Sequence, residues 1–302
     1  DLRSGDILRI LPEAHRADSY YMSESLANDL RHWLVEPDHS KTQREPLMLD
    51  KRQRELATTR TDTGFRRIKG AAGSGKSVVL AGRAARLASE SKRVLVVSFN
   101  ITLVNYLGDL ASRALLPEPK SYRNAIEWNN FHRWCKVTCE RLGYGDRYSA
   151  LFKGDDNKHV LDDAMAKLVQ WVFSPEGGNQ SPEYDALLVD EGQDYQLSWW
   201  SALVAACEPD GEKVLVADAT QDLYETASAW TEERMQGAGF SGQWAMLDAC
   251  YRLPVGYIDH IKRFAETFLP QLDRQIPVAP DGELEFAPLH MKWVQVSDED
   301  PV

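Results

Sequence analysis

"RRIKGAAGSGKSVVLAGRAARLA", from Arg66 to Ala88, joins a strand-like run to a helix-like run through a turn of small residues. Gly70, Gly75, Lys76 and Ser77 stand at the fixed positions of the pattern G-x-x-x-x-G-K-[ST], with Ala71, Ala72, Gly73 and Ser74 between them. Bare backbone lets successive N–H groups converge on one anion, because no bulky side chain blocks the approach. A helix beginning at Lys76 adds its N-terminal N–H groups and its dipole to the same point. The stretch reads as a phosphate cradle, with Lys76 placed to reach β- and γ-phosphates and Ser77 placed to ligate Mg²⁺.

Working outward, apolar runs and helical patterns alternate. Strand candidates are "FRRIK" at Phe65, "RVLVVSF" at Arg93, "AIEW" at Ala125, "YDALLVD" at Tyr184, "KVLVAD" at Lys213 and "QWAML" at Gln243. Three are nearly continuous apolar runs, as parallel strands covered on both faces require. Helical patterns cover Lys76–Ala88, Ile101–Ala114, Phe131–Leu142, His159–Phe173 and Leu197–Ala206. This alternation predicts an α/β fold with a doubly wound parallel sheet. The span from Leu115 to Pro182 is long for one crossover and predicts one strand plus a small helical insertion. Ahead of the cradle, "SLANDLRHWLVEP" predicts an amphipathic helix stopped by proline, and residues 1–48 an N-terminal extension and linker.

"ALLVDEGQD" supplies the second half of a site. An apolar strand ends in Asp190, placed to hold Mg²⁺, and the adjacent Glu191 can accept a proton from water. Adjacent carboxylates that divide metal binding from base catalysis, with Gln193 beside them, favour hydrolysis over transfer to a bound acceptor.

Composition narrows the classes further. At 302 residues, 43% hydrophobic and 27% charged, the chain has the make-up of a soluble globular protein of about two domains. No apolar run approaches the ~20 residues that span a bilayer. Four cysteines are too few for a disulfide framework, which predicts a reducing, cytoplasmic setting. Cys135 and Cys139 share a helical face with His132, but no second ligand pair lies nearby, so buried thiols are expected rather than zinc. A net charge of −11 argues against general nucleic-acid binding and restricts any such contact to a local groove.

"GAAGSGKS", "VDEGQD", "LVADATQDLY" and "YRLP" occur in the order seen in superfamily-one helicases, and the chain resembles the UvrD/Rep branch. The resemblance implies a RecA-like motor domain that hydrolyses ATP with Mg²⁺ on single-stranded DNA, with RNA left open. "LDKRQRELATT" resembles the Q motif, whose glutamine, here Gln53, reads the adenine edge. Gln221 is implied to sense the γ-phosphate, Tyr251 to stack on adenine, and Arg252 to act on the γ-phosphate as an arginine finger. Nucleic-acid contacts are implied at Phe99 and Asn100, at His132 in "NFHRW" and at Tyr224. Phe99, Tyr224 and His132 each have an alternative reading as ordinary packed side chains. Two stretches depart from the family: "YETASAW" replaces an aromatic and an Arg-Gly-Ala-like turn, and "SFNITLVNYL" replaces a threonine- and lysine-containing motif.

The resemblance runs from about Leu49 to about Phe268. It predicts an ATPase domain over 49–250, with its insertion around 115–182, and the start of an incomplete second RecA-like domain over 251–302. The expected partners are therefore single-stranded DNA and a missing C-terminal motor domain, with no membrane. An ATP-binding switch without translocation is the alternative.

Overall fold

Val94, Leu95, Val96 and Val97 are all buried, and the strand they form feeds two separate cores. Val94 and Val96 pack into one core, Leu95 and Val97 into the other, because successive side chains of a strand leave opposite faces. The same alternation recurs at Ala186 and Leu188 against Leu187 and Val189, and at Val214 and Val216 against Leu215 and Ala217. A sheet buried on both faces needs helices on both, and the chain provides them.

A computed structural model describes residues 45–115, 124–154, 157–218 and 238–251, with isolated positions between 258 and 267. The chain divides into two compact units, Asp1–Glu45 and Pro46–Val302, and every element below belongs to the second. In order these are α1 (Lys51–Thr58), β1 (Phe65–Gly70), α2 (Lys76–Ser89), β2 (Val94–Ser98), α3 (Ile101–Ala114), β3 (Ile126–Asn129), α4 (Phe131–Arg141) and α5 (Gly145–Leu151). A helical segment follows that starts at Asn157–His159, passes through a π-turn at Val160–Ala164 and continues as α6 (Met165–Phe173). Then come β4 (Tyr184–Asp190), a 3₁₀ turn (Gly192–Asp194), α7 (Leu197–Ala205), β5 (Cys207–Ala217) and β6 (Ala245–Leu247).

The six strands form one all-parallel sheet in the order β3-β2-β4-β5-β1-β6. Helices α1, α2 and α3 contribute Leu56, Val79, Leu80 and Leu107 to one core. On the other face α4, α6 and α7 contribute Phe131, Trp134, Met165, Val169 and Trp199. The span from Leu115 to Pro182, expected to hold one strand and a small helical insertion, supplies β3 and helices whose apolar faces cover the sheet. Each such side chain fully buried contributes ~1.5–3 kcal/mol, and truncating one of the tryptophans would cost ~3–5 kcal/mol.

Register carries all six strand ends to one edge, pairing Ser98 with Asp190, Lys69 with Ala217 and Gly70 with Leu247. At the opposite end a buried ionic knot ties α2 to β5. Arg83 donates from Nε to Glu212 Oε2 at 2.7 Å and from a terminal nitrogen to Leu56 O at 2.6 Å. Burial lowers the Arg83 pKa to about 10, and the Glu212 charge opposes that shift.

The boundary furthest from the sequence reading is the start of β5. β5 begins at Cys207 rather than near Lys213, although "EPDG" within it is a turn composition. The strand pairs with β4 through a bulge, in which Tyr184 faces Cys207 while Ala186 already faces Glu212. Lys213 stabilises that irregularity by donating to Glu208 O, to Pro209 O at 2.8 Å and to Gly211 O at 3.1 Å. Local composition cannot show a bulge held by an ammonium several residues away.

Candidate active site

The cradle follows β1 at the carboxyl edge of the sheet. Gly73 and Gly75 adopt φ of 82° and 87°, the left-handed region that only glycine enters cheaply. Gly75 is also the N-cap of α2 and has no side chain to accept from the first turn, which leaves that turn's N–H groups for an outside anion. A Cβ at Gly75 would collide with Gln53 Nε2, so a side chain there would displace the Gln53 amide as well as strain the backbone.

Lys76 is nine-tenths buried and lies along the loop instead of extending to solvent. Its ammonium donates to Gly70 O at 2.6 Å, to Ala71 O at 3.0 Å and to Asp218 Oδ2 at 3.1 Å. The next residue reaches the neighbouring acid: Ser77 Oγ donates to Asp190 Oδ2 at 3.0 Å. Asp190, at the end of β4, is 1% exposed, and its pKa is pushed up to about 6 by burial and then by the adjacent Glu191 charge. Glu191 takes φ of 53°, an uncommon choice for a non-glycine residue, and its N–H donates to Asp190 Oδ1 at 3.1 Å. That twist turns the chain sharply between the two carboxylates. Gln193 Nε2 then donates to Glu191 Oε2 at 2.7 Å.

A cavity of about 620 Å³ runs over these groups, lined among others by Gln53, Lys76, Ser77, Glu191, Asp218 and Tyr251. Gln53 sits in a capping box on α1: its N–H donates to Asp50 Oδ1 at 2.7 Å, and its Oε1 accepts from Asp50 N at 3.1 Å. Gln53 Nε2 donates to Ser74 O at 3.3 Å, so the amide links α1 to the cradle and keeps one N–H and one lone pair for a ligand. Tyr251 closes the same end, donating from its backbone N to Gly73 O at 2.9 Å and from its hydroxyl to Asp50 Oδ2. Cys250 supports the loop through Sγ to Ala72 O at 3.3 Å.

A family model described as an AAA domain matches residues 53–227, more than half of the chain. The chain belongs to the AAA domain family. No curated protein matches it. The match runs from Gln53 across β1 to β5 and takes in Lys76, Ser77, Asp190, Glu191 and Asp218, and a P-loop nucleoside-triphosphatase fold of this kind implies nucleotide binding. The Ser77 hydroxyl and the Asp190 carboxylate are hard oxygen donors 3.0 Å apart, a pair that suits Mg²⁺. Among the described residues, no helix of this AAA domain is long and apolar enough to cross a membrane.

Beyond the cradle, at the ends of β2 and β3, the AAA domain carries an aromatic group. Phe131 stacks on Trp199 at 4.6 Å, Phe99 lies 6.4 Å from Trp199, and His132 meets the same indole edge-on at 4.8 Å. Phe99 is 38% exposed, whereas Trp199 is 4% and Phe131 1% exposed, so Phe99 presents the group to solvent. Burial lowers the His132 pKa, against a bond to the Leu161 backbone and the Asp162 charge. Asn100 caps α3, its Oδ1 accepting from Thr102 N at 3.0 Å and Thr102 Oγ1 at 2.8 Å. Cys135 and Cys139 are buried beneath this group, and burial raises the Cys139 thiol pKa to about 11. Gln221, Tyr224 and Arg252 lie outside the described residues.

Three residues of the site were not singled out from the sequence. Asp218 ends an apolar run as Asp190 does, a parallel that "LVAD" and "LLVD" display side by side. Asp50 precedes Gln53 by three, the spacing of a capping box. Tyr106 of α3 lines the cavity, and nothing in its local sequence marks it.

Proposed function

We propose that this AAA domain is the ATP-hydrolysing part of a UvrD/Rep-like helicase or translocase that moves along single-stranded DNA. The observation that carries the hydrolytic reading is the bond of Ser77 to Asp190, with Glu191 next in the chain and lining the cavity that holds Lys76. In this reading Lys76 neutralises the β- and γ-phosphates, and the loop N–H groups orient them. Ser77 and Asp190 hold Mg²⁺, which supplies charge stabilisation at the phosphates. Glu191 accepts the proton of the attacking water. Gln53 and Tyr251, at the far end of the cavity, take the adenine, and Gln221 and Arg252 act on the γ-phosphate.

Support for a nucleic-acid strand comes from the order of the sequence blocks and from Phe99, whose half-exposed ring borders the site. A base stacked on such a ring gains ~1–3 kcal/mol. Asn100, His132 and Tyr224 complete the proposed contacts, and residues from Tyr251 onward are proposed to begin a second RecA-like domain. A second reading, a nucleotide-dependent switch without translocation, is favoured by the net charge of −11, which repels a polyanion outside a local groove.

ATP hydrolysis measured alone, with single-stranded DNA and with single-stranded RNA tests both. Stimulation by DNA is expected. Stimulation by RNA alone would move the substrate, and ATP binding without response to either strand would leave the switch.

A further inference from the structure

The Lys76 ammonium has three N–H donors, and three protein acceptors take them. Two are neutral loop carbonyls, Gly70 O and Ala71 O. The third is a carboxylate 142 residues further on, Asp218 Oδ2, itself 2% exposed. For Lys76 to meet a nucleotide phosphate, one of these acceptors has to be exchanged. Asp218 carries the same sign of charge as phosphate, and two anions against one buried ammonium repel each other, whereas the carbonyls raise no such conflict.

Asp218 is also wired to the acid across the cavity. Its backbone N–H donates to Gln193 Oε1 at 2.9 Å, and the other end of that amide, Nε2, donates to Glu191 Oε2 at 2.7 Å. One buried glutamine therefore joins the residue that holds Lys76 to the residue placed to activate water. A carboxamide is the side chain for this, since it accepts at one end and donates at the other.

Resting on the nucleotide reading above, we propose that Asp218 is a positioning residue that competes with phosphate for Lys76 and, through Gln193, couples that exchange to the orientation of Glu191. When phosphate takes the ammonium, the Asp218 carboxylate gives up its bond to Lys76. The adjustment this forces at the end of β5 passes through the Asp218 N–H to Gln193 and from there to Glu191. Glu191 is thus set to take the water's proton by the arrival of the phosphate that the water attacks.

The test uses the full chain with Lys76→Ala, Asp218→Asn and Gln193→Ala, reading MgATP affinity by calorimetry and hydrolysis by phosphate release. Asp218→Asn keeps the shape and the backbone N–H and removes the competing charge. Its MgATP Kd is expected to fall at least about threefold while kcat falls about tenfold or more, a split that a merely structural residue would not produce. Gln193→Ala should lower kcat with Kd changed less than about twofold, and the double variant should be no slower than the slower single one. MgATP binding equal to or weaker than wild type in a folded Asp218→Asn protein overturns the proposal and leaves the nucleotide reading intact. Failure of the wild type to bind MgATP, with Lys76→Ala indistinguishable from it, overturns both. Should Asp218→Asn not fold, Gln193→Ala decides, and a folded Gln193→Ala protein with wild-type kcat would overturn the proposal.

Discussion

The hydroxyl of Ser77 donates to the carboxylate of Asp190 across 3.0 Å, joining two residues 113 positions apart. This one bond ties the first turn of α2, where Ser77 lines the cavity, to the end of β4 and pairs two hard oxygen donors. Because Lys76 precedes Ser77 and Glu191 follows Asp190, the two ends of the bond also position the cation for phosphate and the base for water.

Lys76→Ala and Glu191→Gln should separate binding from chemistry. The first removes the buried ammonium and is expected to abolish tight ATP binding. The second keeps Ser77, Asp190 and Lys76, so binding should persist while hydrolysis falls by ~10²-fold or more. Calorimetric titration beside a turnover assay checks this, and equal loss of affinity in both variants would refute the division of roles.

Gly75→Ala and Gly242→Ala form an instructive pair. Both positions have φ in the left-handed region, 87° and 84°, so each substitution should cost ~1 kcal/mol in backbone strain, about 2–4 °C in melting temperature. Only at Gly75 does a Cβ also collide with the Gln53 amide, whereas nothing lies within 4 Å at Gly242. Loss of ATP affinity is therefore expected for Gly75→Ala alone.

Phe99 and Trp199 belong to one aromatic group but should fail differently. Trp199 is 4% exposed, and Trp199→Ala is expected to cost ~3–5 kcal/mol of stability. Phe99→Ala should leave the melting temperature nearly unchanged and weaken single-strand binding by ~1–3 kcal/mol. Denaturation and fluorescence anisotropy with a labelled oligonucleotide distinguish the two, and a collapse of stability in Phe99→Ala would return that ring to the core.

His132 supplies a pH dependence. Burial holds its pKa below the ordinary 6.5, so as pH falls the unfolded chain takes up the proton before the folded one. Stability should therefore decline as pH drops below about 6.5, since it rises with pH wherever the unfolded state binds more protons. In His132→Phe that part of the decline should vanish. Urea denaturation of both proteins between pH 7.5 and about 5 measures the difference, and parallel curves would contradict the expectation.

The α/β class, the six strands and the cradle were legible because each rests on local pattern. Continuous apolar runs announce two-sided burial, and the spacing from Gly70 to Ser77 announces backbone shaped for an anion. The β5 bulge was not legible, since Lys213 holds it through carbonyls that no periodicity records. Asp218 was visible as a strand-end acid, but its partner was not, because that partner is 142 residues away.

By itself, then, the sequence determined which residues could bear charge, which backbone could turn left-handed, and where strands and helices alternate. Those properties follow from side-chain chemistry and from spacing along a few turns of chain. Only the tertiary structure decided that Lys76 meets Asp218, that Gln193 spans Asp218 and Glu191, and that Tyr251 reaches back to Asp50. Strand order sets these meetings. β5 lies between β4 and β1, so the residue that leaves β5 falls beside the acids that end β4 and the loop that follows β1.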